Sequence, residues 1–192
     1  MIPSIETRKK EIRKKLISCR SLLKDEDRKK YDSIILERIL ALDEFVRADT
    51  ILVYASYNGE ADTYGLIREC FKAGKKVACP KCRIDDGVPA IDFYLISSLD
   101  DLIPGFKGIP EPSGDVGLKL TYEDMSDALV IIPMVGYDKS NNRLGYGKGF
   151  YDRFLSAYPD LRKVGIAYSC QEADDLPTDE YDVRLDMIIN EL

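Results

Sequence analysis

Apolar and polar positions recur along this chain with two periods, and stretches of one period follow stretches of the other. Ile12, Leu16, Cys19 and Leu23 have the spacing of one helix face, which predicts an amphipathic first helix. Residues 25–46 carry Ile35, Ile39 and Leu42 at helical spacing behind an acidic first turn, which predicts a second helix. The short apolar run 51–56 predicts a buried strand, and residues 62–74, with Leu66, Ile67, Cys70 and Phe71 on one side, predict a helix ending near Gly74. Further strands are predicted at 76–80, 90–96, 129–134, 163–168 and 187–190, with a helix from Phe150 to Tyr158. Residues 97–117, rich in Pro and Gly, are predicted to be turns. No repeat or linker divides residues 1–192, so one domain is expected. Continuous apolar strands alternating with helices imply an α/β fold: a mostly parallel twisted sheet, helices on both faces, two N-terminal helices leading. Such sheets bind ligands beyond the carboxyl ends of their strands.

Composition narrows the chemistry. The 192 residues are 45% hydrophobic and 32% charged, which argues against disorder. No run approaches about 18 uninterrupted apolar residues, and the start has no leader-like apolar region, so a cytoplasmic protein without membrane partners is expected. There is no histidine, which removes imidazole bases, histidine-assisted nucleophiles and histidine metal sites. Metal binding would then fall to carboxylates and a hard cation. Cys79 and Cys82 form a C-x-x-C without a second pair to complete a zinc site; a redox dithiol and a chance spacing are the two readings.

Residues 1–30 carry a charge of +6, whereas the whole chain is −6. A basic helix can meet nucleic acid, an anionic membrane or a small polyanion, or simply be a solvated face. No aromatic side chains interleave with these charges as in a single-strand binder. Lys9 and Arg13, four apart, share a face and become candidates if an anion site exists elsewhere.

Such a site is suggested at Asn142 to Asp152, NRLGYGKGFYD, where three alternating glycines follow a strand and open a helix. Backbone amides and a helix N-terminus suit phosphate, and Arg143 and Lys148 add formal charge. The spacing is neither a Walker loop nor a dinucleotide loop, so a plain glycine-rich turn stays open on physical grounds. Asp152 would compete with a phosphate unless a cation lay between them; with the acids from Asp174 to Asp186 nearby in sequence, Mg²⁺ is a plausible partner.

This loop, together with Lys9-x-x-x-Arg13, YASYNGEADT at 54–63, Pro80 to Arg83, GIPEP at 108–112 and Leu176-Pro177 followed by Asp182, resembles the 5-formyltetrahydrofolate cyclo-ligase family over nearly the whole chain. The resemblance implies ATP- and Mg²⁺-dependent cyclisation of 5-formyltetrahydrofolate to 5,10-methenyltetrahydrofolate through phosphorylation of the formyl oxygen. It implies ATP contacts at Lys9, Arg13, Arg143, Leu144, Gly145, Tyr146, Gly147, Lys148, Gly149, Phe150 and Tyr151, with Lys148 and Arg143 as the catalytic charges. Tyr151 could equally serve packing. It further implies substrate contacts at Ala55, Glu60, Tyr146, Lys148, Gly149 and Phe150, and Mg²⁺ ligands at Asp152 and Asp182. Arg83 could meet the folate's glutamate tail or a phosphate. The other amino-terminal charges are returned to solvent. The expected partners are the small molecules alone, with no nucleic acid, for a monomer or weak dimer. Tyr181 stands where many members have His, and Asn190-Glu191 where many have Thr-Glu. The competing readings are another phosphate-handling enzyme on this fold, such as a sugar-phosphate isomerase, and a non-catalytic binder of nucleotide or RNA.

Overall fold

The computed structural model describes residues 4–113 and 117–192. In chain order its helices are α1 (Ile5–Ser21), α2 (Asp25–Leu40), α3 (Asp43–Arg47), α4 (Tyr64–Lys72) and α5 (Phe150–Ala157). The strands are β1 (Thr50–Val53), β2 (Lys76–Asp85), β3 (Val88–Ile96), β4 (Leu102–Pro104), β5 (Pro110–Pro112), β6 (Leu129–Ile132), β7 (Gly136–Tyr137), β8 (Arg143–Leu144), β9 (Arg162–Ile166) and β10 (Met187–Ile189). Six of them form one sheet in the order β10-β9-β6-β1-β2-β3, parallel except for β3. The expected mostly parallel α/β architecture is therefore present.

Alternate residues of each strand enter different layers. Ile51, Val53, Leu129, Ile131, Val164 and Ile166 face α2, α3 and α4, whereas Leu52, Ala78, Val130 and Ile132 face α5 through Phe154 and Leu155. Burying a Leu or Ile side chain fully contributes about 1.5–3 kcal/mol, so the four-residue centres of β1 and β6, buried throughout, anchor both layers. Helix α4 closes as its sequence predicts: Gly74, at φ 69°, follows its last turn, and Lys75 N donates to Cys70 O at 2.9 Å.

Several boundaries differ from expectation. The helix expected over 25–46 breaks at Ala41-Leu42, where Leu42 is extended, and α3 restarts with Phe45 buried and Val46 exposed. Strand β2 runs on to Asp85 because Asp86 and Gly87, both at positive φ, make a two-residue turn into antiparallel β3. The segment 97–117, expected to be turns, contains a small hairpin in which β4 pairs with β5. The run 129–134 leaves the sheet after Ile132, where Pro133 cannot donate to a ladder. Cys79 and Cys82 sit three apart on β2, one in each of the two apolar layers, so they cannot bridge; burial pushes both thiols up to about 12. The C-x-x-C is a spacing coincidence.

From β1 the chain first builds outward through β2 to β3, then returns to the far side of β1 as β6 and continues to β9 and β10. The strand order thus reverses between β1 and β6, which opens a crevice beyond their carboxyl ends. Helix α1 docks at this end of the sheet. Its Leu16 is buried against Gly136, where a Cβ would stand 2.1 Å from Leu16 Cδ1. Gln171 fixes the neighbouring turn by donating Nε2 to the Met134 and Val135 carbonyls, each at 3.0 Å.

The hairpin of β7 and β8 is closed by Asp138, which is buried. Its carboxylate accepts from the amides of Ser140 at 2.9 Å, Asn142 at 3.0 Å and Leu176 at 3.2 Å, and from the Asn142 side chain at 2.9 Å. Burial works to raise the Asp138 pKa, but these hydrogen bonds outweigh it and hold the carboxyl below the ordinary range. Asp138→Ala is expected to cost roughly 2–4 kcal/mol in urea unfolding at pH 7. The carboxylate's contribution is present above its unfolded value of about 3.9 and is lost as pH falls through the lower folded value. The gap between variant and wild type should therefore shrink on acidification, and a gap that grew instead would contradict this role.

Candidate active site

The crevice widens into a cleft of about 1100 Å³. Its walls include every site residue expected from the sequence: Lys9 and Arg13 from α1, Ala55 and Glu60 from the loop after β1, Arg143 to Asp152, and Asp182. Arg83 is not among the lining residues. It points along the β2–β3 hairpin into ion pairs with Asp85 and Asp92.

At one end of the cleft lies the glycine loop. Gly147 and Gly149 have φ of 89° and 67°, so the backbone curls through conformations that side chains disfavour just before α5 begins. Arg13 supports the curl from beneath: its Nε donates to Gly145 O at 2.8 Å, and its guanidinium lies 3.1 Å from where a Cβ on Gly147 would stand. Arg153 performs the same service on the other side, donating to Lys148 O at 2.9 Å. Lys148 itself is exposed, and among the described residues its ammonium is held in no ion pair.

The remaining cations are already partnered. Lys9 Nζ lies 2.7 Å from Asp179 and 2.5 Å from Asp182, with its side chain buried. Burial works to lower the Lys9 pKa, yet the hydrogen bonds and charges of Asp179 and Asp182 outweigh it and the pKa stands above the ordinary lysine value. Arg143, also buried, meets Asp152 at 2.6 Å and lies over the Tyr151 ring, while its Nε has no protein partner. Asp152 also accepts from Val183 N at 3.4 Å, which brings the carboxylates of Asp152 and Asp182 to adjacent stretches of wall. Among the described residues no three acidic or cysteine side chains converge as a complete metal cage. Two carboxylates alone are fewer than a cage, and by their chemistry they would fit a hard cation such as Mg²⁺ only if its other ligands came from water or a bound anion.

The other end is apolar and acidic. Pro80, Cys82, Ile91, Phe106 and Ile109 line it, and the Phe106 and Phe150 rings meet edge to face at 5.9 Å. Glu60 accepts from Tyr146 OH at 2.7 Å and from Tyr57 N at 3.0 Å. Burial pushes the Glu60 pKa up, against the hydrogen bonds of Tyr146 and Tyr57 and the charge of Arg20. Tyr54 OH donates to Ala61 O, which closes the loop bearing Ala55 and Glu60.

Three contributors escape a reading by periodicity. Arg20, expected to be solvated, is buried on the inward face of α1, and its Nη2 donates to Asn58 O and Tyr146 OH, both at 3.1 Å. That face runs Lys9, Arg13, Leu16, Arg20, a stripe that shares only Leu16 with the apolar spacing and is otherwise cationic. Glu111, buried in the GIPEP segment, accepts from Cys82 N at 3.1 Å and Phe106 N at 3.3 Å and so fixes the apolar wall. Phe106 carried no signal beyond lying among turn residues. Of the departures from the family pattern, Tyr181 is an exposed rim residue, and Asn190 Nδ2 donates to Tyr137 OH at 2.8 Å while Glu191 accepts from Ser169 N at 2.9 Å. Asn190 and Glu191 tie the carboxyl terminus to the sheet, away from the cleft lining.

Comparison with known proteins converges on one family. A family model described as the 5-formyltetrahydrofolate cyclo-ligase family matches residues 5–191. The 5-formyltetrahydrofolate cyclo-ligase of Escherichia coli is 32% identical over 154 residues, covering 79% of this chain and 83% of that protein. That of Haemophilus influenzae is 31% identical over 184 residues, covering 93% of this chain and 95% of its own. The NMR structure of the Aquifex aeolicus 5,10-methenyltetrahydrofolate synthetase superposes with a TM-score of 0.78 at 32% identity, over 94% of this chain and 88% of that one.

The Lys9 cluster gives a test that needs no substrate. Lys9→Met leaves Asp179 and Asp182 facing each other and is expected to cost about 1 kcal/mol, a modest value because Asp179 is partly exposed. The lysine's raised pKa makes its contribution present below about 10.4 and lost as pH rises through the folded value. The Asp179 pKa is lowered, first by its hydrogen bond to Lys9, so that contribution is present above about 3.9 and lost as pH falls through the folded value. Urea unfolding of variant and wild type should therefore differ most near neutrality and converge toward both extremes.

Proposed function

Because the chain belongs to the 5-formyltetrahydrofolate cyclo-ligase family, we propose that it closes 5-formyltetrahydrofolate to 5,10-methenyltetrahydrofolate using ATP, with release of ADP and phosphate. The observation that carries this reading is the two-ended cleft. A glycine loop ringed by Lys9, Arg13, Arg143 and Lys148 faces a half-buried acid set against an apolar wall. One end suits a polyphosphate and the other a flat, donor-rich heterocycle.

In the proposed reaction the formyl oxygen attacks the γ-phosphorus and the bond to ADP breaks. The N10 nitrogen then attacks the formyl carbon and loses its proton, and the phosphorylated oxygen leaves as phosphate. Both nucleophiles belong to the folate, so a protein without histidine can run the chemistry by positioning and charge neutralisation. Arg13, Arg143, Lys9 and the backbone from Leu144 to Tyr151 hold the nucleotide, and the exposed Lys148 meets the charge that develops on the transferring phosphoryl group. Glu60 accepts from the pterin's N–H groups, with Ala55 and the stretch Tyr146 to Phe150 beside it. Asp152 and Asp182 would hold Mg²⁺, whose chemistry is to neutralise the phosphate oxygens. The fit requires that Lys9 and Arg143 turn from these carboxylates to phosphate when metal and nucleotide enter together. We assign the reaction to a cytoplasmic monomer or weak dimer.

The test is the rise of methenyltetrahydrofolate absorbance when the protein meets 5-formyltetrahydrofolate and Mg-ATP. Folded protein giving no rise, or turning over a sugar phosphate without ATP, would sink the assignment. Lys148→Ala should lower kcat by roughly 100-fold or more with an unchanged unfolding midpoint. Normal turnover in that variant would remove Lys148 from the mechanism.

A further inference from the structure

Arg20 does not line the cleft, yet it touches both sides of it. Its guanidinium is buried at 3% exposure at the end of α1, with no carboxylate among the ion pairs of the described residues to neutralise it. Such a charge is costly to bury, and packing alone does not explain why it is an arginine. One nitrogen, Nη2, donates to Asn58 O in the loop before Glu60 and to Tyr146 OH in the glycine loop. Tyr146 then donates to Glu60 Oε1, and Tyr57 N donates to Oε2. Arg28 braces the same loop from α2, donating to Gly59 O at 2.9 Å.

The direction of these bonds matters. A tyrosine hydroxyl has one proton, and an arginine can only donate. With Arg20 occupying a lone pair of the Tyr146 oxygen, the hydroxyl proton is turned toward Glu60. An ionised carboxylate can only accept, so the chain Arg20, Tyr146, Glu60 is consistent in one direction alone. Burial and the Glu60 charge push the Tyr146 pKa up, which keeps it a donor. Without Arg20 nothing turns the hydroxyl proton toward Glu60 in preference to other acceptors, and the Asn58 carbonyl loses its bond to the guanidinium.

We propose that Arg20 is a positioning residue for the folate end of the cleft, acting through Tyr146 and Asn58 to fix the orientation of Glu60. The proposal rests on the assignment of Glu60 to the pterin. A group that acts by orienting a binding carboxylate should change folate binding in ground and transition states alike. Its loss then raises KM for folate and leaves kcat nearly unchanged.

Steady-state kinetics of wild type, Arg20→Met, Arg20→Lys, Tyr146→Phe and the Arg20→Met/Tyr146→Phe double variant test this. Arg20→Met is expected to raise KM for 5-formyltetrahydrofolate roughly tenfold, with KM for ATP within about twofold of wild type. Arg20→Lys keeps the charge, but its shorter side chain ends before the position of Nη2, so it should show the same split. Tyr146→Phe should raise the folate KM similarly, and the double variant should be no worse than the worse single one. Hydrogen exchange at the Tyr57 to Glu60 amides should quicken in Arg20→Met while the β6 amides stay protected. If Arg20→Met fails to fold, Arg20→Lys and Tyr146→Phe carry the comparison. An unchanged folate KM, equal losses for both substrates, or effects that multiply in the double variant would overturn the proposal. A wild-type protein that turns over no folate would instead overturn the functional assignment beneath it.

Discussion

Helix α1 can lie across the open end of the sheet because Gly136 has no side chain. A methyl group there would collide with Leu16 and stand 3.2 Å from the carbonyl of Gln171, whose own side chain is tied to the Met134 and Val135 carbonyls. The close approach sets the depth at which the helix sits. That depth places Arg13 under the glycine loop, Lys9 against Asp179 and Asp182, and Arg20 between two loops. A sheet whose strand order reverses supplies a crevice; the contact between a leucine and a glycine turns the crevice into a charged cleft.

The cleft is a mosaic of elements far apart in sequence, each held by its own local device. Two glycines with positive φ shape the cradle, Asp138 ties down the hairpin that leads into it, and Glu111 fixes the apolar wall through two backbone amides. Tyr146 belongs to the cradle and yet bonds to the acid across the cleft, so the two ends share one hydrogen-bonded network.

Strand centres were legible in the sequence because β1 and β6 are buried on both faces and leave unbroken apolar runs. Strand ends were not, since apolar character persists past Val53 and Ile132 into residues that line the cleft. The hairpin turn at Asp86-Gly87 has a recognisable type, but the apolar run that marks β2 stops at Pro80, so pattern alone ends the strand early. The helix break at Ala41-Leu42 has no proline or glycine to mark it; tertiary burial of Phe45 decides it. The residues that the resemblance implies for the site were named through motif order, and all of them line one cleft. Arg20 stayed hidden because periodicity sorts residues by polarity, whereas α1 buries two cations, Lys9 and Arg20, and half-buries a third, Arg13, on its inward face. The C-x-x-C resolves as soon as its residues are placed on a strand, where positions three apart face opposite ways.

The ion pairs of Lys9 with Asp179 and Asp182, and of Arg143 with Asp152, have a bearing on selectivity among the cell's anions. An inorganic phosphate or sulfate arriving alone must detach a cation from its carboxylate and leave that carboxylate unpartnered in a partly dehydrated wall. On the reading proposed above, a metal-bound polyphosphate would bring a cation to replace each partner it removes. Lys9 and Arg143 are thus neutralised from within the protein while Lys148 stays open, so the wall attracts a lone anion less than a count of its positive charges suggests.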